Sequence, residues 1–373
     1  MKIGITCYPV QGGSGVVATE LGAKLAARGH QVHCISYQAP VRLRSHCPNI
    51  YFHQVEVMSY PLFKYPPYTL TLSAKMAEVA KRWKLDIFHV HYAIPHAVCG
   101  FLAQSILGAK SPKLVTTLHG TDITLVGIDR SFSNITRFSI EVSDGVTAVS
   151  RFLAQKTVEE FKPSRKIEVI YNFVDTERFR PSTSSARKEE FAPNGEKILA
   201  HLSNFRPVKR IPDVIKTFNL VQKEIPARLL LIGEGPEVSG ALEFIGKLGL
   251  SDKVIYLGSH NDVESLLPVA DLFLIPTKTE SFGLASLEAL SCGVPVIGTN
   301  LGGLPEVVLD GECGYLEKLG DVESMAGKAL KLLRDQDLLN QFKENARRRA
   351  VDLFDAELMV PKYERFYERV LAE

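Results

Sequence analysis

The segment Thr279–Glu288, TESFGLASLE, places two carboxylates around a stretch that suits an anion. It follows the apolar run Leu272–Pro276, which we predict to be a strand, and it continues into a helix. Gly293 is expected to stop that helix, because glycine readily adopts the left-handed conformation found at helix ends. Glu280 therefore falls in a loop, and Glu288 falls in the helix that follows it.

The beginning of this helix is a predicted phosphate site, because free backbone N–H groups at a helix N-terminus bind anions. The residues whose N–H groups lie there are Phe282, Gly283 and Leu284. Carboxylates beside a phosphate are unfavourable unless each has hydroxyl groups to bind. A nucleotide sugar supplies hexose hydroxyls for Glu280 and ribose hydroxyls for Glu288. An exposed helix residue is the alternative for Glu288, although the rest of that helix is apolar.

A basic loop, Ser203–Arg210, follows the predicted strand Ile198–Ser203. Arg206 and Lys209 lie in this loop, and Asn204 precedes them as a further candidate for binding the same ligand. Arginine presents a planar fork and lysine a point charge to phosphate oxygens, so the loop suits a diphosphate. A solvated basic loop is the alternative, but α/β proteins bind their ligands at the carboxyl ends of strands.

Two polar loops in the first half of the chain also follow predicted strands. Gly12–Gly15 precedes the first helix, where glycines let a ligand approach the backbone and the helix N-terminus favours anions. An NAD site would need an acidic residue about 20 positions later, and the sequence has none from Leu21 to Val55. His119 follows the predicted strand Lys113–Leu118, where its imidazole can bond a sugar hydroxyl or a carbonyl. A histidine satisfied within its own loop is the alternative.

The elements that position these loops form two series. Short apolar strands alternate with helical stretches in both halves of the chain, which predicts parallel, doubly wound α/β sheets. We predict two Rossmann-like domains, over residues 1–175 and 190–355, joined by a polar Pro/Ser-rich stretch. Their ligand crevices are expected to face a shared cleft. The last helix, residues 356–373, either packs back on the first domain or caps the second.

The composition excludes several classes of protein. With 373 residues, 45% hydrophobic and 23% charged, the chain is globular and too long for one core. A net charge of +2 gives no reason to expect nucleic acid, and no apolar run is long enough to span a membrane. The N-terminus lacks the features of a signal peptide, so we expect a cytoplasmic protein with reduced cysteines. No metal is predicted, because no acidic pair falls at a strand end.

These motifs together resemble a known family. Glu280 and Glu288 have the E-x7-E spacing, and with the basic loop, His119 and the glycine turn they resemble the retaining GT-B glycosyltransferases of family 4. The resemblance covers the whole chain. Certain members use UDP-N-acetylglucosamine as donor and L-malate as acceptor, in the first step of bacillithiol biosynthesis. The stretches that resemble those members are GITCYPVQGGSGVVATELG, HVHYAIPHA, TTLHGTDIT and HLSNFRPVKR.

The resemblance implies a role for each candidate residue. Arg206 and Lys209 would bind the UDP diphosphate, Glu288 the ribose, and Glu280 with His119 the N-acetylglucosamine ring. The other donor-binding candidates are Gly13, Asn204, Phe282, Gly283 and Leu284. The malate-binding candidates in the first domain are Ser14, Tyr92, Thr121 and Arg137, with Arg151 as an alternative cation. No cofactor or metal is implied, and a homodimer is left open.

Three other functions compete with this interpretation. A family 4 glycosyltransferase with another small acceptor would share every donor motif. A UDP-N-acetylglucosamine epimerase has a similar two-domain fold and needs no malate. A non-catalytic binding protein would leave Glu280, Arg206 and Lys209 without a purpose.

Overall fold

The computed structural model describes residues 1–10, 12–40, 47–57, 62, 64–182, 186–260 and 262–373. The chain divides into two compact units. The first unit contains Met1–Asn172 together with Glu357–Glu373, and the second contains Phe173–Ala356. Each unit has one parallel β-sheet, so the predicted fold class of two parallel-sheet α/β domains is confirmed.

The first unit has a seven-stranded sheet with the order β3-β2-β1-β4-β5-β6-β7. Its strands are β1 (Lys2–Thr6), β2 (Gln31–Ser36), β3 (Ile50–Gln54), β4 (Ile87–His91), β5 (Lys113–Leu118), β6 (Gly145–Ala148) and β7 (Ile167–Val169). Neighbouring strands pair in parallel throughout this order. The strand order reverses between β1 and β4, and open α/β sheets bind ligands at such a reversal.

The second unit has a six-stranded parallel sheet with the order β10-β9-β8-β11-β12-β13. Its strands are β8 (Lys197–Leu202), β9 (Ala227–Ile232), β10 (Val254–Gly258), β11 (Leu272–Ile275), β12 (Val296–Thr299) and β13 (Gly314–Glu317). The strand order reverses here between β8 and β11, as it does between β1 and β4 in the first unit. Right-handed crossovers on the two sides of a reversal place helices on both faces of a sheet.

The helices alternate with the strands along the described chain. In chain order they are α1 (Gly13–Ala27), α2 (Tyr68–Trp83), α3 (Val98–Leu107), α4 (Ser133–Glu141), α5 (Arg151–Phe161), α6 (Ala186–Phe191), α7 (Ile211–Glu224), α8 (Val238–Lys247), α9 (Val263–Leu266), α10 (Leu284–Ser291), α11 (Leu304–Val307), α12 (Val322–Arg334), α13 (Gln336–Phe354) and α14 (Ala356–Ala372). Within the described residues, no helix combines the length and apolar character needed to cross a membrane.

Local sequence signals explain where several helices begin. Ser150 caps α5 by accepting a hydrogen bond from the backbone N–H of Leu153, 3.0 Å away. Asp335 caps α13 in the same way through the N–H of Leu338, also at 3.0 Å. The two nearby acidic residues Asp335 and Asp337 therefore lie at the beginning of a helix.

Each unit has its own hydrophobic core. In the first unit Met76, Phe88 and Cys99 from α2, β4 and α3 belong to one buried cluster. In the second unit Phe218 and Leu332 pack from α7 and α12 in a cluster that also takes in strands β8, β9 and β11. Burial of each such side chain contributes about 2 kcal/mol, which holds the sheets and their loops in place.

The last helix, α14, packs on the sheet of the first unit. Tyr363 and Tyr367 are completely buried, and the Tyr367 hydroxyl shares a 2.7 Å hydrogen bond with Nδ1 of His89 on β4. Gly145 at the start of β6 is needed for this packing, because a Cβ there would lie 2.8 Å from the Phe366 ring. The structure thus assigns α14 to the first unit although the chain enters it from the second.

Candidate functional site

In the second unit, the basic loop after β8 and the acidic loop after β11 meet at the sheet reversal. The Nζ atom of Lys209 lies 2.7 Å from Oε2 of Glu280, and both side chains are mostly buried. The carbonyl of Val208 ties the two loops together, because it accepts hydrogen bonds from the Lys278 N–H at 2.8 Å and from the Thr277 hydroxyl at 3.0 Å. The structure therefore brings together two residues that the sequence placed 71 positions apart.

The loop after β8 has an unusual backbone. Phe205 is completely buried and adopts a left-handed φ of 40°, and Arg206 comes next as an exposed residue. Arg206 precedes the short 3-10 helix Pro207–Lys209. The loop thus presents the Arg206 and Lys209 side chains next to the end of β8, where their charges suit phosphate oxygens.

The N-terminus of α10 lies beside this ion pair. Gly283 has φ 103° and serves as the N-cap, a conformation that favours glycine. Its carbonyl accepts the first intrahelical bond, from the N–H of Leu287 at 3.0 Å, so the preceding N–H groups have no partner within the helix. The Oγ atom of Ser286 in this first turn is also buried without a hydrogen-bond partner among the described residues. The Ser286 hydroxyl and the N–H groups at the start of α10 form a candidate anion site.

The other predicted donor-binding side chains flank this helix end. Glu288 lies on α10 and is only 4% exposed, so it is not a surface residue. Oδ1 of Asn204 is buried and lacks a hydrogen-bond partner in the described structure, which suits a ligand contact. The ring of Phe282 packs edge-on against Phe354, with ring centroids 5.6 Å apart. Phe282 can therefore contribute its backbone, not its side chain, to a site.

Two glycine loops support these segments, and neither was predicted from the sequence. Gly302 and Gly303 follow β12, and Cβ atoms there would lie 2.1 and 2.2 Å from the carbonyl oxygens of Glu280 and Ser281. The Gly303 N–H donates to the Glu280 carbonyl at 2.8 Å. The close approach of the two loops therefore requires glycine. The signal that could have identified this loop is a glycine pair a few residues after the apolar run Val294–Gly298.

The second glycine loop follows β9. A Cβ atom at Gly233 would lie 1.9 Å from the carbonyl oxygen of Ser203, and one at Gly235 would lie 2.0 Å from that of Asn204. The Phe205 carbonyl also accepts a hydrogen bond from the N–H of Glu237, 2.9 Å away, which lies just after this glycine loop. Side chains at either glycine would displace the basic loop from its position.

In the first unit, the glycine turn and the loop after β4 meet at the other sheet reversal. The Ser14 hydroxyl in the first turn of α1 shares a short hydrogen bond with the Tyr92 hydroxyl. Gly15 allows α1 to start here, because a Cβ atom would lie 2.3 Å from the carbonyl oxygen of Val10. Gly13 is exposed, and its Cβ position would have no neighbour within 4 Å. The backbone at Gly13 is thus open to a ligand.

His119 completes this cluster. Its Nε2 atom lies 2.8 Å from Nδ1 of His91, and its ring centroid lies 5.2 Å from that of Tyr92. Burial, with a smaller contribution from His96, lowers the pKa of His119 to about 3, so the imidazole is neutral near pH 7. Its neutral ring can hydrogen-bond a hydroxyl, but it is not a cation that neutralises phosphate.

Asp122 holds the His119 loop in shape. It is buried, with Oδ1 accepting from the Gly120 N–H at 2.9 Å and Oδ2 accepting from the Ala93 N–H at 2.9 Å. Burial raises the pKa of Asp122, against backbone hydrogen bonds that lower it. The carboxyl group therefore connects the loops after β4 and β5, which carry Tyr92 and His119. This role of Asp122 was not predicted from the sequence.

The remaining acceptor candidates are less closely connected. Thr121 is exposed beside His119, and Arg137 is exposed on α4. Arg151, the alternative cation, is exposed at the start of α5. The structure thus brings Ser14, Tyr92 and His119 into one cluster, while the two arginines lie on separate helices.

Two family models match the chain. One, glycosyltransferase family 4, covers residues 11–178, and the other, glycosyl transferases group 1, covers residues 182–349. The chain is 50% identical over 375 aligned positions to the N-acetyl-α-D-glucosaminyl L-malate synthase of Bacillus anthracis, covering 100% of this chain and 98% of that protein. It is 26% identical to a GDP-mannose-dependent α-(1-6)-phosphatidylinositol monomannoside mannosyltransferase of Mycolicibacterium smegmatis, covering 71% and 72% of the two chains.

Solved structures share the fold. The HepE protein of Anabaena in complex with UDP-glucose has a TM-score of 0.82 at 21% identity and covers 99% of this chain and 100% of its own. A sucrose-phosphate synthase of Thermosynechococcus elongatus has a TM-score of 0.80 at 21% identity and covers 100% and 99%. At these identities the likeness concerns the fold.

Proposed function

The chain belongs to the glycosyltransferase family of the N-acetyl-α-D-glucosaminyl L-malate synthase, and from this membership we propose its reaction. It transfers N-acetylglucosamine from UDP-N-acetylglucosamine to the hydroxyl of L-malate with retention at the anomeric carbon. The observation that carries the proposal is 50% identity along the whole chain to a protein of that name. The two polar clusters at the sheet reversals supply the chemistry that the reaction needs.

The second unit is the proposed donor site. Arg206 and Lys209 bind the diphosphate together with the N–H groups at the start of α10. Glu280 binds hexose hydroxyls through the oxygen that Lys209 does not occupy, since a carboxylate accepts several hydrogen bonds. Glu288 binds the ribose. This assignment is supported by the Ser286 hydroxyl and the Asn204 side-chain oxygen, which are buried and have no hydrogen-bond partner within the described part of the chain.

The first unit is the proposed acceptor site. L-malate carries two carboxylates, and the N-terminus of α1 at Gly13 provides one place for an anion. The first turn of α1 contains no acidic residue that would repel it. Ser14, Tyr92 and Thr121 supply hydroxyl groups for the rest of the molecule, and Arg137 supplies a cation. His119 contributes a neutral imidazole to the sugar ring.

The proposed chemistry is substitution on the front face of the sugar. The bond from the anomeric carbon to the β-phosphate oxygen breaks while the malate hydroxyl oxygen forms a bond to the same carbon. The hydroxyl proton passes to the departing β-phosphate, so UDP leaves with the proton that the malate hydroxyl has lost. Lys209 and Arg206 stabilise the negative charge that grows on that phosphate, which is the kind of contribution that lowers a barrier most.

A coupled assay of UDP release tests the proposal. L-malate and a panel of other hydroxy acids and sugar phosphates are offered with UDP-N-acetylglucosamine, and the anomeric configuration of the product is read by NMR. We expect preference for L-malate and an α-linked product. UDP release that is indifferent to malate would contradict the acceptor, and a new nucleotide sugar formed without malate would indicate an epimerase.

The same assay tests the predicted independence from metal ions. Activity is expected to persist in EDTA, because the proposed charge stabilisation comes from Arg206, Lys209 and a helix N-terminus. Loss of activity in EDTA that magnesium restores would overturn this part of the proposal.

A further inference from the structure

His201 lies beneath the basic loop and has no part in the function proposed above. It is the next-to-last residue of β8, and its side chain is completely buried. Its Nδ1 atom lies 2.7 Å from the carbonyl oxygen of Leu274 on the adjacent strand β11. Its Nε2 atom lies 2.8 Å from the Ser203 hydroxyl. A buried histidine thus spans the two strands at the sheet reversal.

The direction of each hydrogen bond follows from the chemistry of the partners. A carbonyl can only accept, so Nδ1 of His201 carries the proton and donates to Leu274. Nε2 then has a lone pair and accepts the Ser203 hydroxyl proton. The Ser203 oxygen in turn accepts from the N–H of Phe205, 3.2 Å away. The three bonds form one chain from β11 to the backbone of the basic loop.

This chain ends where the backbone is strained. Phe205 holds a φ of 40°, which costs energy for any residue other than glycine and persists only when the surroundings enforce it. Its N–H is turned toward Ser203, and its ring is buried beside His201 with centroids 6.0 Å apart. Arg206 follows directly in the chain, so the strained turn at Phe205 sets the direction of the Arg206 side chain.

We infer that His201 is a positioning residue for the phosphate-binding cations. Its hydrogen bonds to Leu274 and Ser203 hold the strained turn at Phe205, and that turn aims Arg206 and Lys209 at a diphosphate. The inference rests on the proposed function for the identity of the ligand, a nucleoside diphosphate. It adds a residue that makes no contact with the ligand itself.

The electrostatics agree with this role. Burial is the main cause that lowers the pKa of His201 to about 4. The hydrogen bond to the Leu274 carbonyl raises this pKa, and the positive charge of Lys209 lowers it. His201 is therefore neutral near pH 7 and keeps the Nε2 lone pair that Ser203 needs. A neutral ring also places no second positive charge next to Lys209.

Two substitutions separate the two ends of the chain. His201→Asn places an amide near the Nδ1 position, so it keeps a donor for Leu274 but does not reach Ser203. Ser203→Ala removes the hydroxyl that connects His201 to the Phe205 N–H, and it leaves His201 in place. Thr217→Val is the matched control, because the Thr217 hydroxyl is buried in the same unit and has no hydrogen-bond partner among the described residues.

The readout is affinity for UDP, measured by calorimetry, against affinity for uridine, measured by ligand-observed NMR. We expect both variants to bind UDP about tenfold more weakly than wild type and to bind uridine unchanged, since the displaced groups contact phosphate alone. Thr217→Val should bind both ligands like wild type. A general folding defect would weaken uridine and UDP together, and thermal unfolding of each variant reports it separately.

Each outcome decides a different point. UDP binding at wild-type strength in both variants, or an equal loss for UDP and uridine, would overturn the positioning role of His201. A wild-type chain that binds neither ligand overturns the proposed function, and the inference falls with it. If His201→Asn does not fold, Ser203→Ala alone decides, because it leaves the buried imidazole and its bond to Leu274 intact.

Discussion

Nζ of Lys209 and Oε2 of Glu280 lie 2.7 Å apart. The family resemblance implies that these residues bind different parts of the donor, the lysine the diphosphate and the glutamate the hexose. Their pairing means that Glu280 orients the ammonium group of Lys209. It also means that the net charge of the pair is zero, so donor binding adds negative charge to a site already neutralised. Lys209 and Arg210 of the basic loop pair with Glu280 and Asp213, whereas Arg206 is exposed and forms no ion pair among the described residues.

Lys209→Met should lower turnover about a hundredfold, because it removes a charge that stabilises the departing phosphate. Thermal unfolding is expected to change far less than turnover. Steady-state kinetics with saturating donor and acceptor measure the effect. Lys216→Met on the exposed side of α7 is the control and should leave turnover unchanged. Unchanged turnover in the Lys209 variant would remove this residue from the mechanism.

Glu280→Gln distinguishes the two jobs of that carboxylate. If Glu280 binds the hexose and also orients Lys209, the variant raises KM for UDP-N-acetylglucosamine and lowers kcat, while inhibition by UDP changes little. The double variant with Lys209→Met should be less impaired than the product of the two single effects, because the residues share one interaction. Strictly multiplicative effects would show that the ion pair has no part in catalysis.

Glu288→Gln should weaken UDP binding about tenfold by removing a charged acceptor for the ribose hydroxyls. The matched probe is 2′,3′-dideoxyuridine diphosphate, which lacks those hydroxyls. Wild type should discriminate against this probe, and the variant should bind the two nucleotides almost equally. If the variant discriminates between the two nucleotides as strongly as wild type does, Glu288 stabilises helix α10 and does not bind the ribose.

Arg137→Ala should raise KM for malate about tenfold and leave KM for UDP-N-acetylglucosamine unchanged, because the proposed contact is a charge-assisted bond to one malate carboxylate. Arg151→Ala is the comparison, since both arginines are exposed on neighbouring helices. The reverse pattern, with malate KM raised in the Arg151 variant alone, would transfer the role to Arg151.

The buried histidines of the first unit should make stability fall in acid. Burial lowers the pKa of His89 and His119 to about 3 and that of His96 to about 4, whereas a histidine in the unfolded chain titrates near 6.5. Between these values the unfolded chain binds more protons than the folded one. Stability is therefore complete above about pH 6.5 and decreases as the pH falls toward 4, by about 1.4 kcal/mol per pH unit for each histidine.

Urea unfolding at about pH 8, 6 and 5 measures this dependence. His89→Gln should be less stable than wild type at about pH 8, where packing and the Tyr367 hydrogen bond are lost. It should also lose less stability than wild type on going to pH 5, because one titrating group is gone. An unfolding free energy that is flat from pH 8 to pH 5 would contradict the prediction.

Much of the architecture was predictable because the buried strands are nearly continuous apolar runs. The strand predicted at Lys113–Leu118 has those bounds in the structure, and the strand predicted at Leu272–Pro276 contains β11, Leu272–Ile275. The edge strand β3 was missed, since its residues are only partly buried and do not form an apolar run. Helix α6 was also missed within a polar stretch. It is held by tertiary contacts, including Lys188 bonded to the buried Asp271 at 2.7 Å.

The family membership was predictable for a different reason. The E-x7-E spacing and the glycine turn are short-range patterns, and the resemblance they suggested is confirmed by the full-length relative. The Lys209–Glu280 pair, the Asp122 bridge and the His201 chain were not predicted. Each depends on which strands are neighbours, and the sheet order 10-9-8-11-12-13 is not readable from local pattern.

The return of α14 to the first unit has a consequence for how the protein is made. On the ribosome the second unit, Phe173–Ala356, emerges before the helix that completes the first. Until then His89 lacks the Tyr367 hydroxyl, and the surface that Tyr363 covers is open to solvent. Domains ordinarily fold in the order of synthesis, but here the N-terminal unit is the last to be finished. A nascent chain halted before Ala356 would hold a complete second sheet domain and an unfinished first.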